Sequence, residues 1–115
     1  MKKYVGIGTG TVVGRKKVFK KVLVNSEPLK HIMVHSPDGF NWGYGGSGPS
    51  DLALAILADL IGKKEARKHY QAFKWDLIAK LPQGKGWTLN EQQIRRWLVE
   101  RKRLIDRPTG EKTFG

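Results

Sequence analysis

Residues 1–35 are rich in β-formers broken by glycine and turn residues. Tyr4, Val5 and Ile7, then Thr11, Val12 and Val13, are interleaved with Gly6, Gly8 and Gly10. Gly14-Arg15-Lys16 suits a turn, and Val18 to Val24 is a second β-rich run. Asn25-Ser26-Glu27-Pro28 is a turn signal, and His31 to His35 follows as a third strand closed by Ser36-Pro37-Asp38-Gly39. The period then changes. Pro49 suits a first helical position, and Leu52 to Ile61 is apolar nearly all the way round, interrupted by Asp59. This predicts a buried central helix over 49–61, stopped by Gly62, with Asp51 as an N3 carboxylate reaching back to the Gly48 N–H. In a second helix, from Lys63 to Lys80, Ala66, Tyr70, Phe73, Leu77 and Leu81 form an amphipathic stripe that Pro82 ends. A third helix opens on a Thr88/Glu91 capping box and carries Ile94, Trp97, Leu98, Arg101 and Ile105 on one face. The expected fold is α+β: a small N-terminal antiparallel β-sheet packed on three α-helices. Residues 1–107 form one domain, and 108–115 are a patternless tail expected to be mobile.

Composition fits one domain. A chain of 115 residues, 39% apolar, can fill one core but not two. No apolar run approaches the roughly 18 residues that span a bilayer, and no apolar stretch follows Lys2 and Lys3 as a secretory signal requires. The lack of cysteine excludes disulfides, thiolate metal sites and thiol nucleophiles, so the expected location is cytoplasmic. The net charge of +12 changes the picture more. It is unevenly spread: residues 1–35 are strongly basic, 36–62 hold Asp38, Asp51 and Asp59 with no Lys or Arg, and the remainder is basic again. Such a balance favours anionic partners: nucleic acid, nucleotides or an acidic protein.

Residues 36–52 carry the most distinctive pattern. Five glycines and three aromatics fall here, and Phe40, Trp42 and Tyr44 alternate, so an extended chain projects all three to one side. Gly43, Gly45 and Gly48 match G-x-G-x-x-G, but a dinucleotide fold needs strand–helix–strand and here a helix is followed by a helix. A G-x-S-x-G elbow fails as well, because Gly48 and Pro49 follow Ser47. What remains is a backbone able to approach a ligand, leading into a helix N-terminus that attracts anions.

On these residues the chain resembles a family of small, uncharacterised bacterial and phage proteins marked by the segment S-P-x-G-F-x-W-G-Y-G-G-S-G-P before an alanine- and leucine-rich helix. The match runs from Ser36 to Pro49 and through Leu52 to Leu57, with Tyr70-Gln71, Phe73-Lys74 and Leu81-Pro82 before Trp87 also fitting. The resemblance implies a phage or mobile-element setting, in which an anti-defence role would take the form of sequestering a cyclic nucleotide immune signal. It names no ligand.

The side chains expected to bind are Phe40, Asn41, Trp42, Tyr44 and Ser47 of the loop, with Arg95, Arg96 and Arg103 of the third helix gripping phosphate. These sets meet within one copy or across the interface of a homo-oligomer. His31, Met33 and His35 alternate but lack the further ligands of a metal site, and His69 reads as solvent-facing. No nucleophile–base pair emerges. The reading is therefore a non-enzymatic binding protein for an anionic nucleotide-type ligand, with no cofactor, metal or membrane. The alternatives are a basic nucleic-acid-binding accessory protein and an inhibitor of an acidic host protein.

Overall fold

A computed structural model describes residues 1–8, 12–13, 16–17, 21–32, 34–35 and 39–106. The turn expected at Gly14-Arg15, the first part of the Val18–Val24 run, Met33, Ser36-Pro37-Asp38 and the tail lie outside the described residues. The fold is α+β. Strands β1 (Lys3–Ile7), β4 (Lys21–Val24), β5 (Glu27–Pro28) and β6 (Trp87–Asn90) form an antiparallel sheet in the order β5-β4-β1-β6. A separate pair joins β2 (Val12–Val13) to β3 (Lys16–Lys17), so Lys16 belongs to a strand rather than to the expected turn. The helices are α1 (Ser47–Ile61), α2 (Lys63–Asp76) and α3 (Glu91–Asp106), with a 3₁₀ turn at Ile78–Lys80. The second helix thus ends earlier than its stripe predicts, and Leu81 is reached through the 3₁₀ turn.

Alternation on the strands decides what the sheet buries. Tyr4 pairs with Val24 on one side and Leu89 on the other, and Gly6 pairs with Val22 and Trp87. These residues share the inner face, and α1 lies in the core with every residue from Gly48 to Leu57 buried. Gly6 is required by close approach: a Cβ there would overlap the Trp87 indole, which lies across the strand backbone. The Tyr4 hydroxyl donates to Asp59 Oδ2 at 2.7 Å, and Lys2 Nζ meets the same oxygen at 3.0 Å. Burial first, then the Asp59 carboxylate, raises the phenol far above its ordinary pKa.

The sheet takes a strand from the second half of the chain that the helical reading of Thr88 concealed. Trp87 and Leu89 are buried and Thr88 and Asn90 exposed, a period of two. The capping box therefore forms two residues later: Asn90 Oδ1 accepts from the Gln93 N–H at 2.9 Å, and Gln93 Oε1 accepts from the Asn90 N–H at 2.8 Å.

Asn25 and Ser26 have φ of 49° and 72°, the two positive angles of a type I′ hairpin turn between β4 and β5. Asn tolerates this region, and its side chain accepts from the Lys3 N–H at 2.9 Å. Ser gains nothing comparable. Ser26→Gly is expected to stabilise the fold by about 0.5–1 kcal/mol, read as an upward shift of the urea midpoint at unchanged slope.

Candidate functional site

The loop from Gly39 to Gly46 is pinned at its middle. Trp42 is 0% exposed, its Nε1 donates to the carbonyls of Pro82 (3.1 Å) and Lys85 (2.9 Å), and its ring meets Trp87 edge-on with centroids 5.6 Å apart. The Gly43 N–H donates to the Ile78 carbonyl at 3.0 Å. Asn41, half-buried, accepts from the Trp42 N–H. Phe40 is half-buried, lies 4.8 Å from the His31 ring, and lines a cavity of about 330 Å³ with Lys21, Val22 and Leu29. The three aromatics thus do not form one platform: Trp42 belongs to the core, Phe40 to a cavity wall, and Tyr44, 39% exposed, faces outward. Beside Tyr44 stands a second exposed ring. Trp75 of α2 is 56% exposed and its rim rests on Gly45, where any Cβ would overlap the indole.

The start of α1 differs from the sequence reading. The helix begins at Ser47, which is exposed, with Gly46 as its N-cap, so Asp51 sits in the second turn. Asp51 is 0% exposed. Its carboxylate accepts from His31 Nε2 (2.9 Å), the His35 N–H (2.9 Å) and the Val34 N–H (3.3 Å). His35 Nε2 in turn bonds the Tyr70 hydroxyl at 2.9 Å. The described part of the segment from His31 to His35 is therefore no strand; it is strapped to α1 and α2 by its imidazoles and its backbone.

Two of the third-helix arginines pair within their own helix. Arg95 Nε donates to Glu91 at 2.7 Å and Arg103 pairs with Glu100 at 3.3 Å, both within α3. Arg96 is exposed, and no hydrogen bond or ion pair among the described residues joins any of the three to the loop. The Lys2 N–H, and Arg95 after it, hold the Glu91 carboxyl below its usual range. The residue before Trp75 on α2 is Lys74. It is 7% exposed, and its ammonium stands 4.4 Å from the centroid of the Trp75 ring.

His69 is buried, not solvent-facing, on a side of α2 that Arg101 and Lys102 of α3 approach. Burial lowers its pKa most; Glu65 acts in the opposite sense, while Lys102, Arg101 and Lys68 add to the lowering. The folded state thus binds a proton less readily than the unfolded chain, whose histidine titrates near 6.5. The stability contributed by neutral His69 is complete above that pH and is lost as pH falls through and below it. His69→Leu should flatten the fall in stability between about pH 7.5 and about pH 5, measured by urea denaturation across that window.

Among the described residues no three His, Asp or Glu side chains converge as metal ligands, and no helix is long and apolar enough to cross a membrane. The architecture is that of a small basic α+β domain with a glycine- and aromatic-rich loop feeding a buried helix. Residues 7–100 match the model of a family of unknown function, DUF6166, and the chain belongs to that family. Comparison with curated proteins and with solved structures gives no match.

Proposed function

We propose that the protein is a non-enzymatic binding protein for an anionic ligand of the nucleotide type. The observation that carries this reading is the disposition of charge. Every acid with a described side chain except Glu27 is already engaged: Asp51 by His31, Asp59 by Lys2 and Tyr4, Glu65 by Lys68, Asp76 by the Trp97 N–H, Glu91 by Arg95, and Glu100 by Arg103. Lys63, Lys64 and Arg67 of α2 and Arg96, Arg101 and Lys102 of α3 have no acid partner among the described residues. The excess positive charge is not neutralised by the fold and is left for a partner. Exposed Tyr44 and Trp75 offer π-faces on which a base can stack. Sequestration of a cyclic nucleotide immune signal, an anti-defence role of the phage type, is the biological form we give this reading.

One observation favours a second reading, nucleic-acid binding. Lys102 and Arg101 of α3 reach the neighbourhood of Glu65 and His69 on α2, so cations of both helices adjoin. Calorimetry against mononucleotides, cyclic nucleotides and a single-stranded oligonucleotide, at about 50 and about 200 mM salt, separates the two. Small ligands binding with modest salt dependence support the first. Binding of the oligonucleotide alone, falling steeply with salt, replaces it with the second, and no heat from any of them removes both.

A further inference from the structure

We infer that the hollow between residues 29–32 and α1 is a binding site for a medium-chain aliphatic carboxylate. It is independent of the nucleotide-type reading and shares none of its exposed rings. The chain that leaves β5 borders two hollows that adjoin at Leu29, which lines both. The smaller, of about 140 Å³, has Leu29, Ile32, Ala55 and Ala58 as its apolar walls. Alanine at 55 and 58, in a helix otherwise rich in leucine and isoleucine, leaves that space open. The larger, of about 330 Å³, is walled by Val22, Leu23, Pro28 and Phe40 besides Leu29. An apolar cavity of about 150 Å³ holds a benzene-sized guest, so the smaller hollow takes roughly six carbons and the larger gives a chain room to continue.

The second observation is the charge of the lining. Lys30 and Lys63 line the smaller hollow and Lys21 the larger. All three are exposed, and none has an acid partner among the described residues. The one acid that lines either hollow, Asp59, is already engaged: its Oδ2 accepts from the Tyr4 hydroxyl at 2.7 Å and meets Lys2 Nζ at 3.0 Å. Aliphatic walls under an uncompensated cationic rim select an amphipathic anion. The smaller hollow presents no aromatic ring on which a base could stack, so an aliphatic tail fits it better than a nucleobase. A second copy of the chain would bring another net charge of +12 and the same lysines to the rim. A space of this size admits a chain of carbons, not a helix or strand of a partner. The carboxylate is held by Lys30 and Lys63, and the tail runs past the two alanines toward Leu29 and the larger hollow.

The test is a methyl-resolved NMR titration with hexanoate, octanoate and decanoate, and with decyltrimethylammonium as the cationic control. Decanoate should shift the methyl signals of Leu29, Ile32, Ala55 and Ala58. Affinity should rise about two- to fourfold with each added methylene, the worth of one buried CH₂. Ala58→Leu fills the smaller hollow with a side chain that suits a helix and should weaken decanoate on the order of tenfold. Lys30→Gln combined with Lys63→Gln changes two exposed residues outside the core, and should weaken decanoate by about two- to tenfold and remove most of its salt dependence. The cationic amphiphile should bind more weakly than decanoate by a similar factor. Shifts centred elsewhere, no shift at millimolar decanoate, affinity independent of chain length, or equal binding of the cationic amphiphile overturns the assignment. So does unaltered affinity in either variant. Because no nucleotide enters this titration, its failure leaves the nucleotide-type reading where it stands.

Discussion

Asp51→Ala should be among the most destabilising single changes in this protein, costing about 3–5 kcal/mol. The carboxylate is fully buried in the second turn of α1 and accepts from His31 Nε2 and the backbone N–H groups of Val34 and His35. Truncation leaves those donors facing an apolar helix, and an orphaned buried donor costs its full desolvation. It also frees the strap that His35 completes on Tyr70, so both ends of the segment lose their anchor together. For a domain of this size the loss corresponds to a fall in melting temperature of roughly 10–20 °C. Asp51→Asn keeps the volume and one acceptor but turns an amide group toward other donors, so about half that cost is expected. The measurements are the urea midpoint and the hydrogen exchange of the Val34 and His35 amides. Their protection should vanish in Asp51→Ala before global unfolding; exchange unchanged from the parent would show that the carboxylate does not hold this segment.

Legibility in the sequence followed one physical division. Where a short local pattern decides the structure, the residues announce it: the apolar run of α1, the Gly62 stop, the stripe on α2 from Ala66 to Phe73, and the turn at Asn25-Ser26 all lie in place. Where a distant partner decides, the local pattern misleads. Thr88/Glu91 and Asn90/Gln93 are both acceptable capping pairs, and the choice falls to β1. The strand pairs Tyr4 with Leu89 and Val5 with Thr88, draws residues 87–90 into the sheet and delays the helix. His31 to His35 alternates like a strand, but Asp51, sixteen to twenty residues on, accepts backbone donors that a strand would spend on a neighbour. His69 lies between Lys68 and Tyr70 and reads as exposed, yet it is buried on a side of α2 that Arg101 and Lys102 of α3 approach. The candidate site divides in the same way. Tyr44 and Ser47 are exposed at the helix start as the loop pattern implies, whereas the second exposed ring, Trp75, comes from α2.

Trp42 separates a structural role for the loop from a ligand-binding one. Its indole N–H donates to two carbonyls, of Pro82 and Lys85, in the connection that leads into β6, and its ring packs edge-on against Trp87, which itself lies across Gly6. The side chain thus ties the glycine-rich loop to the strand that completes the sheet. Trp42→Ala should cost about 3–5 kcal/mol through the cavity and the lost contacts. Trp42→Phe preserves most of the apolar volume but leaves both carbonyls without their donor, so about 1–3 kcal/mol is expected, with faster amide exchange in the Gln83–Trp87 connection. Because the ring is wholly enclosed, it cannot stack on a base. Nucleotide affinity of folded Trp42→Phe should therefore stay within about twofold of the parent, while Trp75→Ala, which removes an exposed face, should lose on the order of tenfold, the usual worth of one base–aromatic stack. The opposite ranking of the two variants in affinity would return the ligand to the loop interior and remove Trp75 from the site.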